Sequence, residues 1–182
     1  MIRSLLWLAG GLVLGAIIHI AVILLLPALA PTVAWDRLAE LGAADGPVIL
    51  PIPAPGEDNP LRLDPGLAYA ACQIDLAEGP GSVAGPLPQS FWSVVVYNRA
   101  GTVVYSTTNR GGIGTRLDVG IFNQAQTRLL AEQKLDIAAG LLIVESPTDA
   151  VSVVVRLEPP NPVNRARYER ALAGLTCGNL AG

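Results

Sequence analysis

The sequence contains one histidine and one lysine, and both shortages restrict the chemistry it can perform. His19 lies in an apolar N-terminal segment, so the chain beyond it lacks the imidazole that serves most often as general base and metal ligand. Lys134 lies in a polar stretch, which favours an exposed surface lysine over a catalytic amine. The sequence also has no HExxH, Walker A or G-x-S-x-G motif. We therefore assign no catalytic residue, no metal and no cofactor, and whether the chain is an enzyme stays open.

Charged residues are also scarce, at 15% of the chain, and the formal net charge is −3. Nucleic-acid binding needs a basic surface that neutralises phosphates, so we expect no nucleic-acid partner. Hydrophobic residues make up 51% of the chain. This composition predicts a compact folded domain and excludes a disordered tail.

The longest uncharged segment covers residues 4–26, and as a helix it would span roughly 34 Å. We predict a transmembrane anchor over residues 1–26, with the lipid bilayer as its partner. The alternative is a signal peptide cleaved after Ala30, but the apolar run is longer than a usual signal core and Pro31 would follow the cut. Arg3 precedes the span and Arg37 is the next basic residue, which predicts a cytoplasmic N-terminus and an outer domain in the periplasm.

Four residues of this segment, Trp7, Gly11, Gly15 and His19, recur every four positions and share one helix face. Gly11 and Gly15 form the GxxxG pattern that lets two membrane helices approach closely. One hypothesis is a helix–helix contact with a second copy or another membrane protein, in which His19 hydrogen-bonds across the interface. The alternative is a chance GxxxG, with a neutral His19 that reaches water or a carbonyl group.

Cysteine occurs only at positions 72 and 177, a spacing that fits neither a CxxC redox motif nor a zinc knuckle. In an oxidising compartment, Cys72 and Cys177 predict one structural disulfide. The alternative is two buried free thiols.

The remaining chain predicts an α+β fold, in which the transmembrane helix precedes a compact antiparallel β-sheet domain with flanking helices. We expect a Pro-rich juxtamembrane linker over residues 27–63, with a short helix ending at Gly42, and a periplasmic domain over residues 64–182. Within that domain the patterns predict a helix over 64–74, a loop over 79–88 and a strand over 117–121. They also predict hairpins formed by residues 91–97 with 102–107 and by 141–144 with 151–157. Asn123 and Gln126 resemble a capping box, and Asn161 begins the last helix, which Cys177 closes.

The segment Pro-Gln-Ser-Phe-Trp-Ser-Val-Val-Val-Tyr-Asn-Arg-Ala-Gly at residues 88–101, followed by Tyr105 and Asn109-Arg110, resembles the core of the domain of unknown function 1254 family. Residues 146–149 before a Val-rich strand resemble a later block of that family. The anchored short form, with cysteine in its last helix, is similar to an alphaproteobacterial membrane branch. The resemblance covers roughly residues 64–178 and implies a β-rich domain in a bacterial envelope, without a catalytic residue to transfer.

Three functions remain open. The first is a non-enzymatic binding or scaffolding domain displayed in the envelope. The second is a carboxylate-based hydrolase acting on a glycan, for which the candidate carboxylates are Asp75, Asp118, Glu145 and Asp149. The third is a small-molecule binder with an apolar pocket lined by Trp92 or Tyr105. Arg110 and Arg116 flank a Gly-rich loop that would suit an anion, although exposed surface arginines are the simpler interpretation.

Overall fold

The computed structural model describes residues 2–29, 33–110, 115–133 and 140–180. The chain divides into two compact units, residues 1–32 and residues 33–182. The first unit contains one continuous helix, α1 (Ile2–Leu29). The second unit combines helices with two β-sheets, so the predicted α+β class is confirmed.

The second unit begins with a short helix and continues mainly as strands. Its first half contains α2 (Val33–Glu40), β1 (Val48–Ile49), β2 (Ala68–Asp75), β3 (Gly81–Pro86), β4 (Trp92–Asn98) and β5 (Val103–Thr108). Its second half contains β6 (Arg116–Asn123), α3 (Gln124–Gln133), β7 (Leu142–Ser146), β8 (Ala150–Leu157), a 3-10 turn (Pro162–Asn164), α4 (Arg165–Ala173) and β9 (Thr176–Asn179).

The strands form two sheets that share one apolar core. The first sheet has the order β1-β2-β8-β4-β5, and the second has the order β7-β6-β3-β9. All pairs are antiparallel except β6 with β7, which run parallel. Alternate residues of β2, β4 and β8 face the core, because successive side chains of a strand point to opposite faces. The core includes Ala70, Cys72, Val94, Trp92, Val153, Leu157, Val119 and Ile121.

Several local predictions are confirmed. The hairpin of β4 and β5 forms, and Gly101 supplies the left-handed backbone at its turn with φ of 79°. The capping box forms too: the Asn123 N–H donates to Gln126 Oε1 at 2.8 Å, and the Gln126 N–H donates to Asn123 Oδ1 at 2.9 Å. These elements depend on residues close together in the sequence, which is why the sequence alone predicts them.

The helix predicted over residues 64–74 is wrong, because most of that segment is strand β2. Asp64 does not cap a helix: its Oδ1 accepts the Gly66 N–H in a local turn. The apolar spacing that suggested a helical face also fits alternation, with Ala70 and Cys72 directed into the core. Pairing with β8 along all of β2 supplies the backbone hydrogen bonds and outweighs the helix propensity of alanine.

The loop predicted over residues 79–88 contains strand β3 instead. Its glycines are there because of close packing, since a Cβ on Gly81 would lie 3.0 Å from Ile74. At Gly85 a Cβ would lie 2.7 Å from the Leu175 side chain, and φ is +154°. Glycine is therefore found here because neighbouring side chains pack closely against the backbone, whereas the composition had suggested a turn.

The second predicted hairpin is also wrong, although both of its strands exist. β7 pairs with β6 in the second sheet, whereas β8 lies between β2 and β4 in the first. Residues 147–149 therefore carry the chain from one sheet to the other. Ser146 holds this crossing, because its hydroxyl donates to Thr148 O and accepts the Thr148 N–H.

The last helix is confirmed, but Cys177 does not close it. Asn161 caps the preceding 3-10 turn, and Tyr168 and Leu172 form the buried face of α4. After α4 the chain forms β9, which pairs with β3 and contains Cys177. The disulfide therefore joins strands β2 and β9, whereas the helix predicted over residues 64–74 and a last helix ending at Cys177 would have placed it between two helices.

Residues 43–67, which we call the strap, cross the outer face of the first sheet. Together with α2 they cover Tyr69 and Ala71 of β2, and Leu38, Ala43 and Leu50 are buried against that face. Gln73 reinforces the contact, since its Nε2 donates to Trp35 O and its N–H donates to Ala43 O. Much of the predicted linker thus packs within the second unit.

Candidate functional site

Helix α1 has the length and composition of a membrane span. Residues Ile2–Leu26 have a mean hydropathy of 2.6, and none of the most apolar window is buried inside the protein. A core helix of a soluble domain would bury its apolar face, whereas a membrane span or an N-terminal signal sequence would not. Both of the latter interpretations fit this helix.

The stripe of Trp7, Gly11, Gly15 and His19 is preserved in α1, because the helix is continuous through all four positions. A Cβ built on Gly11 or Gly15 meets no atom within 4 Å. The space above the two glycines is therefore unfilled by described residues of this chain. The helix–helix contact through Gly11, Gly15 and His19 stays a prediction.

The structure contains the predicted disulfide between Cys72 and Cys177, with a Cα–Cα distance of 6.6 Å. Cys72 is 3% exposed on the core face of β2, and Cys177 lies in β9 opposite Val83. The bond therefore links the first sheet to the second along one side of the core. It stabilises the packing of the sheets and leaves no free cysteine for nucleophilic or redox chemistry.

Two of the candidate carboxylates support turns. Asp75 Oδ1 accepts the Ala77 N–H at 2.9 Å, and Asp149 Oδ1 accepts from Asn123 Nδ2 at 2.9 Å. Both aspartates are exposed and lie near each other, because Asp75 pairs with Ala150. Aspartate in such turns usually satisfies local backbone and side-chain donors, and that role accounts for both residues.

The other two candidates, Asp118 and Glu145, lie on the outer face of the second sheet. Glu145 is opposite Phe122, four residues along β6 from Asp118. At about 3.3 Å per residue this places the two backbones roughly 13 Å apart along the strand. Glycosidase carboxyl groups lie about 5–9.5 Å apart, so this arrangement does not favour the pair. Among the described residues, no cluster of three or more His, Cys, Asp or Glu side chains could hold a metal.

The proposed anion loop and the single lysine give little further information. Arg110 and Arg116 are both exposed, and residues 111–114 between them lie outside the described residues. Lys134 also lies outside the described residues. The Arg110 N–H donates to Thr108 Oγ1, so its backbone belongs to the turn after β5.

A surface cleft lies between α2 and the strap, with a volume of about 310 Å³. Leu41, Ile52, Leu61 and the prolines at 51, 53 and 60 supply apolar lining, and Arg37, Glu40 and Asp58 supply charge. We call it the α2 cleft. It is near the lower size limit for small-molecule sites, which combine apolar walls with a few polar groups.

Sequence reasoning placed an apolar pocket at Trp92 or Tyr105, and neither residue lines the α2 cleft. Trp92 is 2% exposed and packs in the core between the sheets. The sequence did not predict this cleft, because the prolines that line it are typical of an extended linker. The available signal was the amphipathic segment of α2 followed by the alternation of Pro with Ile and Leu.

No family model and no curated protein matches the sequence. Among solved structures, a crystal structure of a Vibrio parahaemolyticus protein is similar over 82% of this chain, with a TM-score of 0.56 and 11% identity. This chain spans about a third of that protein's length, since the match covers 35% of it. A putative uncharacterised protein from Burkholderia cenocepacia aligns over 78% of this chain and 45% of its own, with 12% identity and a TM-score of 0.40. At such identities the Vibrio likeness concerns the fold alone.

Proposed function

We propose that this chain is a single-pass protein of a bacterial inner membrane, with its N-terminus in the cytoplasm and residues 33–182 in the periplasm. It acts there as a non-enzymatic binding or scaffolding domain. The observation that carries the proposal is the combination of an uncharged apolar N-terminal helix with a domain cross-linked by a disulfide. Disulfides persist in oxidising compartments and are rare in the cytosol.

Charge distribution supports the orientation. Arg3 precedes the apolar helix, and no further basic residue occurs before Arg37. Positive residues close to a span favour the cytoplasmic side. The resemblance to the domain of unknown function 1254 family is consistent with a bacterial envelope setting, and membership of that family is part of this proposal.

The location is tested by expressing the full chain in a bacterium with alkaline phosphatase or a fluorescent protein at its C-terminus. We expect phosphatase activity, no fluorescence, retention in carbonate-washed membranes and an intact mass that includes residues 1–30. A shorter mature chain released from the membrane would show a signal peptide. A fluorescent fusion without phosphatase activity would reverse the orientation.

The scaffolding role rests on the stripe of α1, where Gly15 and His19 would contact a second helix. We expect the native complex in mild detergent to be larger than one chain and to become monomeric with Gly15→Leu plus His19→Leu. Gly10→Leu is the matched control, because Gly10 lies off the stripe and is equally open. If all three samples were monomers, α1 would serve only as an anchor and the proposed helix–helix contact would be rejected.

The α2 cleft favours a second function, the binding of a small apolar ligand. Its walls are mainly apolar, and Leu41 remains 39% exposed. We expect titration with indole to shift the NMR methyl signals of Leu41 and Ile52, and Ile52→Ser to weaken that response. Val163→Ser is the control, since Val163 is 91% exposed outside the cleft. Shifts scattered over the whole surface would remove the cleft as a site.

A further inference from the structure

In the part of the chain that the structure describes, four strands lie at the edges of the two sheets, and three of them are protected against pairing with another chain. β1 has two residues and is flanked by Pro47 and Pro51, and β9 has four residues. β7 carries Glu145 and is followed by Pro147. Shortness, proline and charge are the usual means by which proteins prevent edge-to-edge association.

The fourth edge strand, β5, has none of these protections. It has six residues, with the sequence Val-Val-Tyr-Ser-Thr-Thr, and contains no charge, no proline and no glycine. Its residues are β-branched or aromatic except for Ser106, and such residues favour strand pairing. Val103 is 52% exposed and Ser106 is also exposed. The strand therefore offers an uncharged template for one more strand.

The ladder with β4 shows which backbone groups of β5 point outward. The Asn109 N–H donates to Trp92 O at 3.1 Å, and the register continues as Thr107 with Val94 and Tyr105 with Val96. Hydrogen-bonded residues alternate along an antiparallel strand. Thr107 and Tyr105 therefore direct their backbone groups to β4. Ser106 and Thr108 direct theirs away from the sheet, where no described backbone group pairs with them.

We propose that β5 pairs antiparallel with β5 of a second copy of this chain, about a two-fold axis at Ser106. Identical strands meet in such a pair, so a charge near the axis would face the same charge on the partner. β5 has no charge, which makes it compatible with itself. The pairing joins two first sheets into one ten-stranded sheet and places Tyr105 of one copy opposite Thr107 of the other.

A cysteine at the axis tests this geometry in the full chain. The native cysteines are already bonded to each other, so Ser106→Cys adds one free thiol that would face its equivalent in the second copy. Adjacent strands bring Cα atoms to about 4.5–5.5 Å, within the range of a disulfide. Val163→Cys is the control. Val163 is more exposed than Ser106, so a thiol at this position reports the rate at which two chains cross-link by random collision.

We expect the Ser106→Cys chain to form covalent dimers at least tenfold faster than the Val163→Cys chain in detergent under mild oxidation. Equal rates would mean random collision and would overturn the proposal. A cross-link to a different protein would mean that β5 pairs with that protein and would also overturn the proposal. The measurement is repeated with Gly15→Leu plus His19→Leu, where persistence of the dimer supports β5 pairing and its loss assigns the dimer to α1.

A backbone variant supplies independent support. Ser106→Pro removes an outward N–H that β4 does not use, whereas Ser106→Thr keeps it. We expect the native mass to fall to a monomer for the proline variant alone, with its thermal unfolding checked against wild type. Should proline unfold the chain, Ser106→Lys replaces it, since two ammonium groups at the axis would repel each other. A dimer that survives the lysine substitution in a folded chain refutes the pairing.

Discussion

The disulfide between Cys72 and Cys177 permits the sharpest prediction about stability. The two cysteines are 105 residues apart, so the bond closes a loop that includes most of the second unit. The chain-entropy model assigns a loop of this length about 4.7 kcal/mol of stabilisation through the unfolded state. Measured effects are often smaller, and we expect the bond to contribute between about 2 and 4.7 kcal/mol.

The perturbation has two forms that separate the cross-link from side-chain packing. Reduction of the wild-type chain removes the bond and keeps both sulfur atoms, whereas Cys72→Ala plus Cys177→Ala also shortens a side chain in the core. Because Cys72 is 3% exposed, reduction requires a reductant together with mild denaturant. For a unit of this size, where 1 kcal/mol shifts Tm by about 2–4 °C, we expect Tm to fall by roughly 4–19 °C in both cases. The alanine variant should be the less stable of the two, because it also leaves a small cavity.

The assay is thermal and denaturant unfolding of the full chain in detergent, followed through the signal of buried Trp92. A change below about 1 kcal/mol on reduction would refute the reasoning, since the two sheets would then be held together without the cross-link. Two free thiols in native protein isolated from the periplasm would refute it as well, and would weaken the proposed location.

Three further substitutions test individual contacts by denaturant unfolding. Asn123→Ala removes the reciprocal cap of α3 and should cost about 1 kcal/mol, with faster amide hydrogen exchange in the first turn of that helix; unchanged exchange would show that the cap is not needed. Gly120→Val should cost about 1–3 kcal/mol, because a Cβ there would lie 2.8 Å from the Phe122 ring; a neutral result would mean that the ring moves freely. Arg165→Ala should cost about 1.5–3 kcal/mol, since its guanidinium donates to two carbonyl groups of the strap; exposed Arg167→Ala is the control, and equal costs would argue against the strap contact.

Much of the local structure was predictable because its causes lie close together in the sequence. The turn at Gly101 needs a left-handed residue between two Val-rich segments, and the box at Asn123 and Gln126 needs only one helical turn. The cysteine pair was predictable for a different reason, since two cysteines in an oxidising compartment have one choice of partner. Of the candidate site, the helical stripe could be read from periodicity, but the α2 cleft could not, because its walls meet only after folding.

The sequence by itself determined the apolar N-terminal helix, the β4–β5 hairpin, the capped start of α3 and the pairing of the cysteines. Only the tertiary structure decided that Ala68–Asp75 is a strand, that Gly81–Pro86 is a strand and not a loop, and that β7 and β8 belong to different sheets. Each of these depends on partners from distant parts of the chain, such as Val153 of β8 opposite Cys72 of β2. A strand forms its hydrogen bonds with neighbouring strands and is buried largely by them. The local propensity of a segment does not show which strands those neighbours will be.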